Sequence, residues 1–354
     1  MSANRNHGLD LLRAIAILGV LLLHASMAVR EMPSSLQWIF SYGWSGVDLF
    51  FVLSGFLIGR QVFEDSTGYS FSQKLKFFWI KRWYRTFPLY FVVLSFYVIG
   101  KPKLGYVFKG WDISFLFFFQ NYLPPQDFVQ SWSLCIEEQF YIIFPLVAYG
   151  LLSRQKNKYF WLLPLLVSFV SRYYLWTTGI FAEVNDTIVS PYARFPTHTH
   201  LDGISCGVFL AAIYPVWRDK SLAFKRFLGC LGILIVVVCF ALTGPQISGS
   251  GVVYSYTVLS VGFSLMLIGA YDLTLKPFVT YPIYRLSLWS YSLYLWNNLA
   301  MKIPEKFGAG MNWTLQFFIF FAGCLILSSG SYQYIELPFL KLRDRHLKRA
   351  KAQN

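Results

Sequence analysis

The chain has 354 residues, of which 56% are hydrophobic, 20% aromatic and only 14% charged. A soluble domain carries roughly twice that charge fraction, and apolar runs of spanning length recur along almost the whole chain, which excludes a soluble protein. The formal charge of +14 is concentrated in short loops between those runs, where Lys and Arg set membrane topology, so nucleic-acid binding is the weaker reading.

Taken in chain order, the apolar runs predict an all-α polytopic membrane protein of about ten transmembrane helices. They lie at 10–28, 40–59, 82–99, 131–152, 159–178, 199–216, 227–243, 253–271, 286–301 and 313–335. With a cytoplasmic N-terminus, residues 1–9, 60–81, 153–158, 217–226, 272–285 and the tail from 336 all face inward. They hold 20 Lys and Arg, against seven in the outer loops, where six acidic residues accompany them. That asymmetry predicts both termini in the cytoplasm. Counting 113–121 (ISFLFFFQN) as a further span would move Arg154, Lys156, Lys158 and the basic tail outside. Nine residues at ~1.5 Å each also fall short of ~30 Å of hydrocarbon, so this piece reads as re-entrant or interfacial on the outer face. Residues 1–354 are expected to form one membrane domain with no appended soluble domain. No cleavable signal is expected either, because the first apolar run lacks a cleavage site and contains Arg13 and His24. Cys135, Cys206, Cys230, Cys239 and Cys324 fall in apolar segments without CxxC spacing. They read as packing residues, with no metal site expected.

An ionisable group inside a bilayer is costly and marks a candidate site. Sorted by depth, these groups form two layers. Asp10, Arg13, Arg82 and Arg85 lie near the inner face. His24, Asp48, Glu137, Glu138, Arg172, His200, Asp202 and Asn297 lie in the outer half. Arg13 and His24 are eleven residues apart, which puts them on one face of the first helix with about 16 Å between them along its axis. They either line one path, or Arg13 snorkels to the interface while His24 makes one interhelical hydrogen bond. Arg82 and Arg85 open the third predicted helix at i, i+3, with Lys74, Lys76 and Lys81 upstream. That pattern suits a phosphate ligand, or else topology marking and lipid headgroups. Glu137 and Glu138 point about 100° apart, so one of the two should face the interior. It could orient His24 or accept a proton, or it could form a structural ion pair, for example with Arg172.

Several segments are then recognisable together. They are GLDLLRAIA from Gly8 followed by His24, GVDLFFVLSGFLI from Gly46, RWYRTFPLY from Arg82 and SWSLCIEEQFY from Ser131. Further along come Leu201-Asp-Gly203 with Gly207, SYSLYL from Ser290 and IELP from Ile335. In this order and spacing the chain resembles the acyltransferase 3 family of bacterial membrane O-acyltransferases over essentially its full length. The resemblance implies ten helices in the bacterial inner membrane, an acyl-CoA donor (most simply acetyl-CoA) used from the cytoplasm, and no bound cofactor. It also implies an acceptor hydroxyl on a surface glycan or lipid-linked sugar at the outer face. By matching position, Arg13, Arg82 and Arg85 would bind the donor. His24 would be the general base or form an acyl-histidine, with Glu137, Glu138 and Asp48 as further catalytic candidates. Arg172, His200, Asp202, Asn297 and Trp132 would serve the acceptor or support the site. Related sequences often have His at Asn297 and Arg at His200, so neither position is expected to carry an indispensable proton transfer here. The rival reading by composition is a transporter or flippase of a lipid-linked sugar, its buried charges moving protons or binding substrate.

Overall fold

The computed structural model describes residues 5–65, 68–100, 113–123, 127–151, 157–179, 190–245, 247, 249–308 and 310–352. Arg154 and Lys156, two of the charges in the expected inner loops, lie outside the described residues. The main helices are α1 (His7–Ala28), α2 (Ser34–Ser41), α3 (Gly46–Phe63), α4 (Phe71–Ser95), α5 (Trp132–Leu146) and α6 (Leu163–Thr177). They continue with α7 (Asp202–Ala212), α8 (Leu222–Thr243), α9 (Gly251–Ala270), α10 (Pro277–Ala300), α11 (Trp313–Ser331) and α12 (Leu337–Ala352). No strand occurs among the described residues. Each of the ten predicted segments coincides with helix. Five stretches are long and apolar enough to cross a bilayer: α1, α2 running on into α3, α8, α9, and α11 running on into α12. The other helices are shorter or more polar, and α4, α5, α7 and α10 among them carry much of the buried polar chemistry.

Three boundaries differ from expectation for identifiable reasons. α4 begins at Phe71 rather than near 82, because Ser70 and Gln73 form a capping box in which each side chain accepts from the other's backbone N–H. Arg82 and Arg85 therefore lie about three turns inside α4 rather than at its start. The basic tail is helix, not loop. A π turn at Tyr332–Glu336 carries α11 on into α12, where Pro338 lies within the first turn and needs no hydrogen-bonded N–H. The segment 113–121 forms α-helix only over Ser114–Phe117, stops at Phe118, whose φ of 58° is left-handed, and runs into a 3-10 turn at Gln120–Tyr122. Phe115, Gln120 and Asn121 are buried. Gln120 Nε2 donates to Tyr90 Oη (3.0 Å) and Ser131 Oγ (3.1 Å), the kind of pairing that irregular backbone inside a membrane protein requires.

α3 is the centre of the fold. It buries 12 of its 18 residues, Asp48 among them. Backbone meets backbone where it crosses α7: a Cβ on Gly207 would sit 2.2 Å from Val52 O, and one on Gly55 2.2 Å from Ile204 O. Only glycine permits that approach, which is how small residues let membrane helices pack closely. α8 is the opposite case, burying five of 22 residues and leaving a continuous apolar surface outward. Such a surface belongs against lipid. Four of the cysteines are buried as expected, but Cys230 is exposed on α8, which packs through a different face.

Candidate functional site

Two cavities lie back to back between α1, α3, α5 and α10, sharing Val47 and Tyr294 as their common wall. The first, of 470 Å³, is basic. Arg13 from α1, Lys81, Arg82 and Arg85 from α4, and Arg343 from α12 line it, against only Glu137 and Asp344. Arg343 pairs with Asp344 at 2.8 Å. Arg13 lies 3.9 Å from Asp10, but that carboxylate is already held by Arg5 (2.5 and 2.8 Å) and Ser287 Oγ (2.6 Å). Arg82 donates to Gln61 Oε1 (3.0 Å) and leaves its Nε unpartnered. Arg85 makes no hydrogen bond or ion pair with any described residue. Three guanidiniums with unmet donors around one space call for a multivalent anion.

Glu137 lines this cavity and accepts from Ser54 Oγ at 2.5 Å. Glu138, one residue and about 100° further round α5, lines neither cavity. It is buried with no hydrogen bond to either carboxylate oxygen.

The second cavity, of 370 Å³, is aromatic and carries the imidazole of His24. Arg13 and His24, on one helix, thus line two compartments divided by Val47 and Tyr294. His24 Nδ1 lies 2.7 Å from Val20 O. A carbonyl oxygen only accepts, so Nδ1 carries a hydrogen, and in the neutral imidazole Nε2, on the other edge of the ring, keeps a lone pair. Trp132 lines the same cavity and stacks on His200 (5.5 Å between centroids). The Tyr294 hydroxyl in the shared wall donates to Gln130 O (2.8 Å) and meets Ser133 Oγ (2.7 Å). A third cavity of 540 Å³ adjoins through Met27, Val129 and Asn298 and is edged by Arg30, Asp127, Lys302 and Glu305.

Asp48 and His200 form a buried pair behind the aromatic cavity, with His200 Nε2 2.6 Å from Asp48 Oδ1. Arg194 lines the cavity directly, its guanidinium 3.7 Å from Asp48 Oδ2. Arg172 and Asp202 line neither cavity. They bind each other bidentately (2.7 and 2.9 Å), both wholly buried, so the alternative of an ion pair between Arg172 and Glu137 or Glu138 is not realised. Asn297 is wholly buried, lines neither cavity and has no partner at either amide atom. Its neighbour Asn298 is the one that reaches the aromatic cavity, donating to Gln130 Oε1 at 2.5 Å.

Sequence reasoning did not single out Arg194, Gln130, Asn298 or Arg343. Arg194 was one basic residue in a long outer loop, and its only local signal was the aromatic frame of Tyr192 and Phe195. Arg343 sits in a run of basic residues that reads equally well as a topology marker.

Comparison with known proteins gives a consistent result. The model of an acyltransferase domain family matches residues 6–332. The O-acetyltransferase OatA of Staphylococcus aureus strain NCTC 8325 / PS 47 is 29% identical, over 94% of this chain and 57% of OatA. OatA of Staphylococcus aureus strain COL matches to the same extent. The chain therefore spans little more than half the length of these relatives. No solved structure shows a significant match.

Proposed function

The chain belongs to the acyltransferase domain family, and on that premise we propose that it is a membrane O-acetyltransferase working across its two cavities. The donor is acetyl-CoA in the basic cavity, and the acceptor is a hydroxyl of a glycan or lipid-linked sugar in the aromatic cavity. The observation that carries this reading is the shared wall at Val47 and Tyr294, with unpaired guanidiniums on one side and His24 on the other. The phosphates of the nucleotide fit Arg13, Arg82 and Arg85, and the rise of about 16 Å from Arg13 to His24 matches an extended pantetheine arm. The 20-to-7 distribution of basic residues supports ten spans, both termini in the cytoplasm and a basic cavity open to that side.

In the reaction, His24 Nε2 takes the proton of the acceptor hydroxyl as the oxygen attacks the thioester carbonyl. The new C–O bond forms, the C–S bond breaks, and the departing coenzyme A thiolate recovers the proton from the imidazolium. Glu137, held by Ser54 at 2.5 Å, lines the same cavity as the guanidiniums and tempers the positive field there. The packed helices keep water from the thioester, so the acyl group crosses while the charged nucleotide does not.

The test is to reconstitute the protein in nanodiscs with acetyl-labelled acetyl-CoA and envelope glycan from cells that produce it. Label should move to the glycan in base-labile ester linkage, with free coenzyme A released in equal amount. Movement of a lipid-linked sugar across a vesicle without thioester consumption would replace this reading with that of a flippase.

A further inference from the structure

The charge on the wall of the aromatic cavity can be counted from hydrogen-bond geometry. His200 Nδ1 lies 2.8 Å from Arg194 O, and because a carbonyl only accepts, that nitrogen carries a hydrogen. His200 Nε2 lies 2.6 Å from Asp48 Oδ1, a contact that also requires a proton between the two atoms. Whether it rests on nitrogen or on oxygen, the imidazole and carboxyl together sum to zero. The positive charge of Arg194 is therefore left over. Asp48 Oδ2 stands 3.7 Å from the guanidinium, beyond a hydrogen bond, and has no other partner. Among the described residues only one of its five guanidinium donors is used, in the bond from Arg194 to Trp44 O at 2.7 Å. The group is otherwise framed by the rings of Trp44 (4.7 Å) and Trp132 (5.4 Å). Among the described residues no Asp or Glu lines this cavity.

Resting on the acetyltransferase reading, we propose that the acceptor is an acidic sugar, bearing a carboxylate or a phosphate, and that Arg194 selects it. A cation with unmet donors in an apolar compartment is costly until an anion arrives, and a neutral sugar would leave it so. Because the same cavity holds His24, the anion must enter on the molecule that presents the hydroxyl. Trp44, Trp132 and Tyr256 line the same cavity and give that sugar an aromatic wall beside the guanidinium that takes its charge.

The experiment compares three preparations of the same envelope glycan as acceptors for the reconstituted full chain: native, carboxyl-reduced, and dephosphorylated. One of the two treatments should lower kcat/KM about 10- to 100-fold, the range of a hydrogen-bonded charge, and which one does identifies the anion. In Arg194→Gln the native glycan should fall to the level of the treated one, chiefly through KM, and the treatment should then make no further difference. Arg194→Lys, which keeps the cation, should retain most of the preference. Equal use of all three preparations by the unaltered protein would overturn the proposal. So would a preference that survives Arg194→Gln, a lysine variant as indifferent as the glutamine one, or an Arg194→Gln defect confined to kcat on every acceptor. The last result would assign the guanidinium to the reaction centre. Absence of thioester turnover with every preparation would instead sink the acetyltransferase reading itself, and this inference with it.

Discussion

Two arginine–aspartate pairs sit in the same polar layer, and they are built differently. Arg172 uses all five of its donors: Nε to Val253 O (3.1 Å), two to Asp202, one to Thr257 Oγ1 (2.9 Å) and one to Thr199 O. Thr257 in turn donates to Asp202 at 2.5 Å. The pair ties α6, α7 and α9 together and lines neither of the two cavities. Arg194 uses one donor, stands 3.7 Å from Asp48 and faces a cavity. Buried charge alone therefore does not separate architecture from function in this membrane protein. What separates these two pairs is whether every guanidinium donor has a partner within the protein, since a buried cation with unmet donors is costly unless a ligand or water can meet them.

The sharpest way to break this contrast is Arg172→Met. It should cost about 3–5 kcal/mol by leaving Asp202 buried and unpaired, so little monodisperse protein should survive extraction in mild detergent. The double variant Arg172→Met with Asp202→Leu should recover much of the yield. Size-exclusion profiles matching the unaltered protein for the single variant would remove the structural half of the comparison.

His24→Gln tests the open side. His24 contacts only its own helix through Nδ1, so melting temperature should stay within a few degrees. Transfer should nonetheless fall about 10²–10⁴-fold for want of a base. Activity within a few-fold of the unaltered protein would make the imidazole structural and direct attention to Glu137.

Removing two of the three unsaturated guanidiniums of the basic cavity, by Arg82→Ala with Arg85→Ala, should weaken acetyl-CoA binding about 10- to 100-fold by calorimetry. Folding should be little changed, because Arg82 gives up one hydrogen bond and Arg85 none. Unchanged affinity would reduce both to topology signals. The smallest effect belongs to the shared wall: Tyr294→Phe loses only the bonds to Gln130 O and Ser133, worth about 0.5–1.5 kcal/mol each. It should slow transfer a few-fold, and a loss as large as that of His24→Gln would mean that the tyrosine hydroxyl itself takes part in the chemistry.

How far the sequence was readable follows from the range of the forces involved. Helical period, hydrocarbon thickness and the cost of charge in lipid act on neighbours along the chain. The helical class, the run of ten apolar segments, the alignment of Arg13 with His24 and the i, i+3 pair at Arg82 and Arg85 were therefore all legible without coordinates. Even the start of α4 was written locally, in the Ser70–Gln73 box, although the hydrophobic signal drew attention eleven residues later. The pairing of buried charges is different in kind. Asp48 meets His200 across 152 positions, Glu137 meets Ser54 across 83, and Arg172 finds Asp202 rather than a glutamate of α5. Those choices depend on how close two backbones can come, as at Gly55 and Gly207 where α3 lies against α7, and on which face of each helix turns inward as a result. Sequence alone determined that charge would be buried in two layers. Only the tertiary structure decided which of those groups pair with one another and which, like Arg85 and His24 Nε2, keep no hydrogen-bond partner beside a cavity, and only it brought Arg194 to the same wall, because a hydrogen bond is a short-range contact between atoms that the chain order does not bring together.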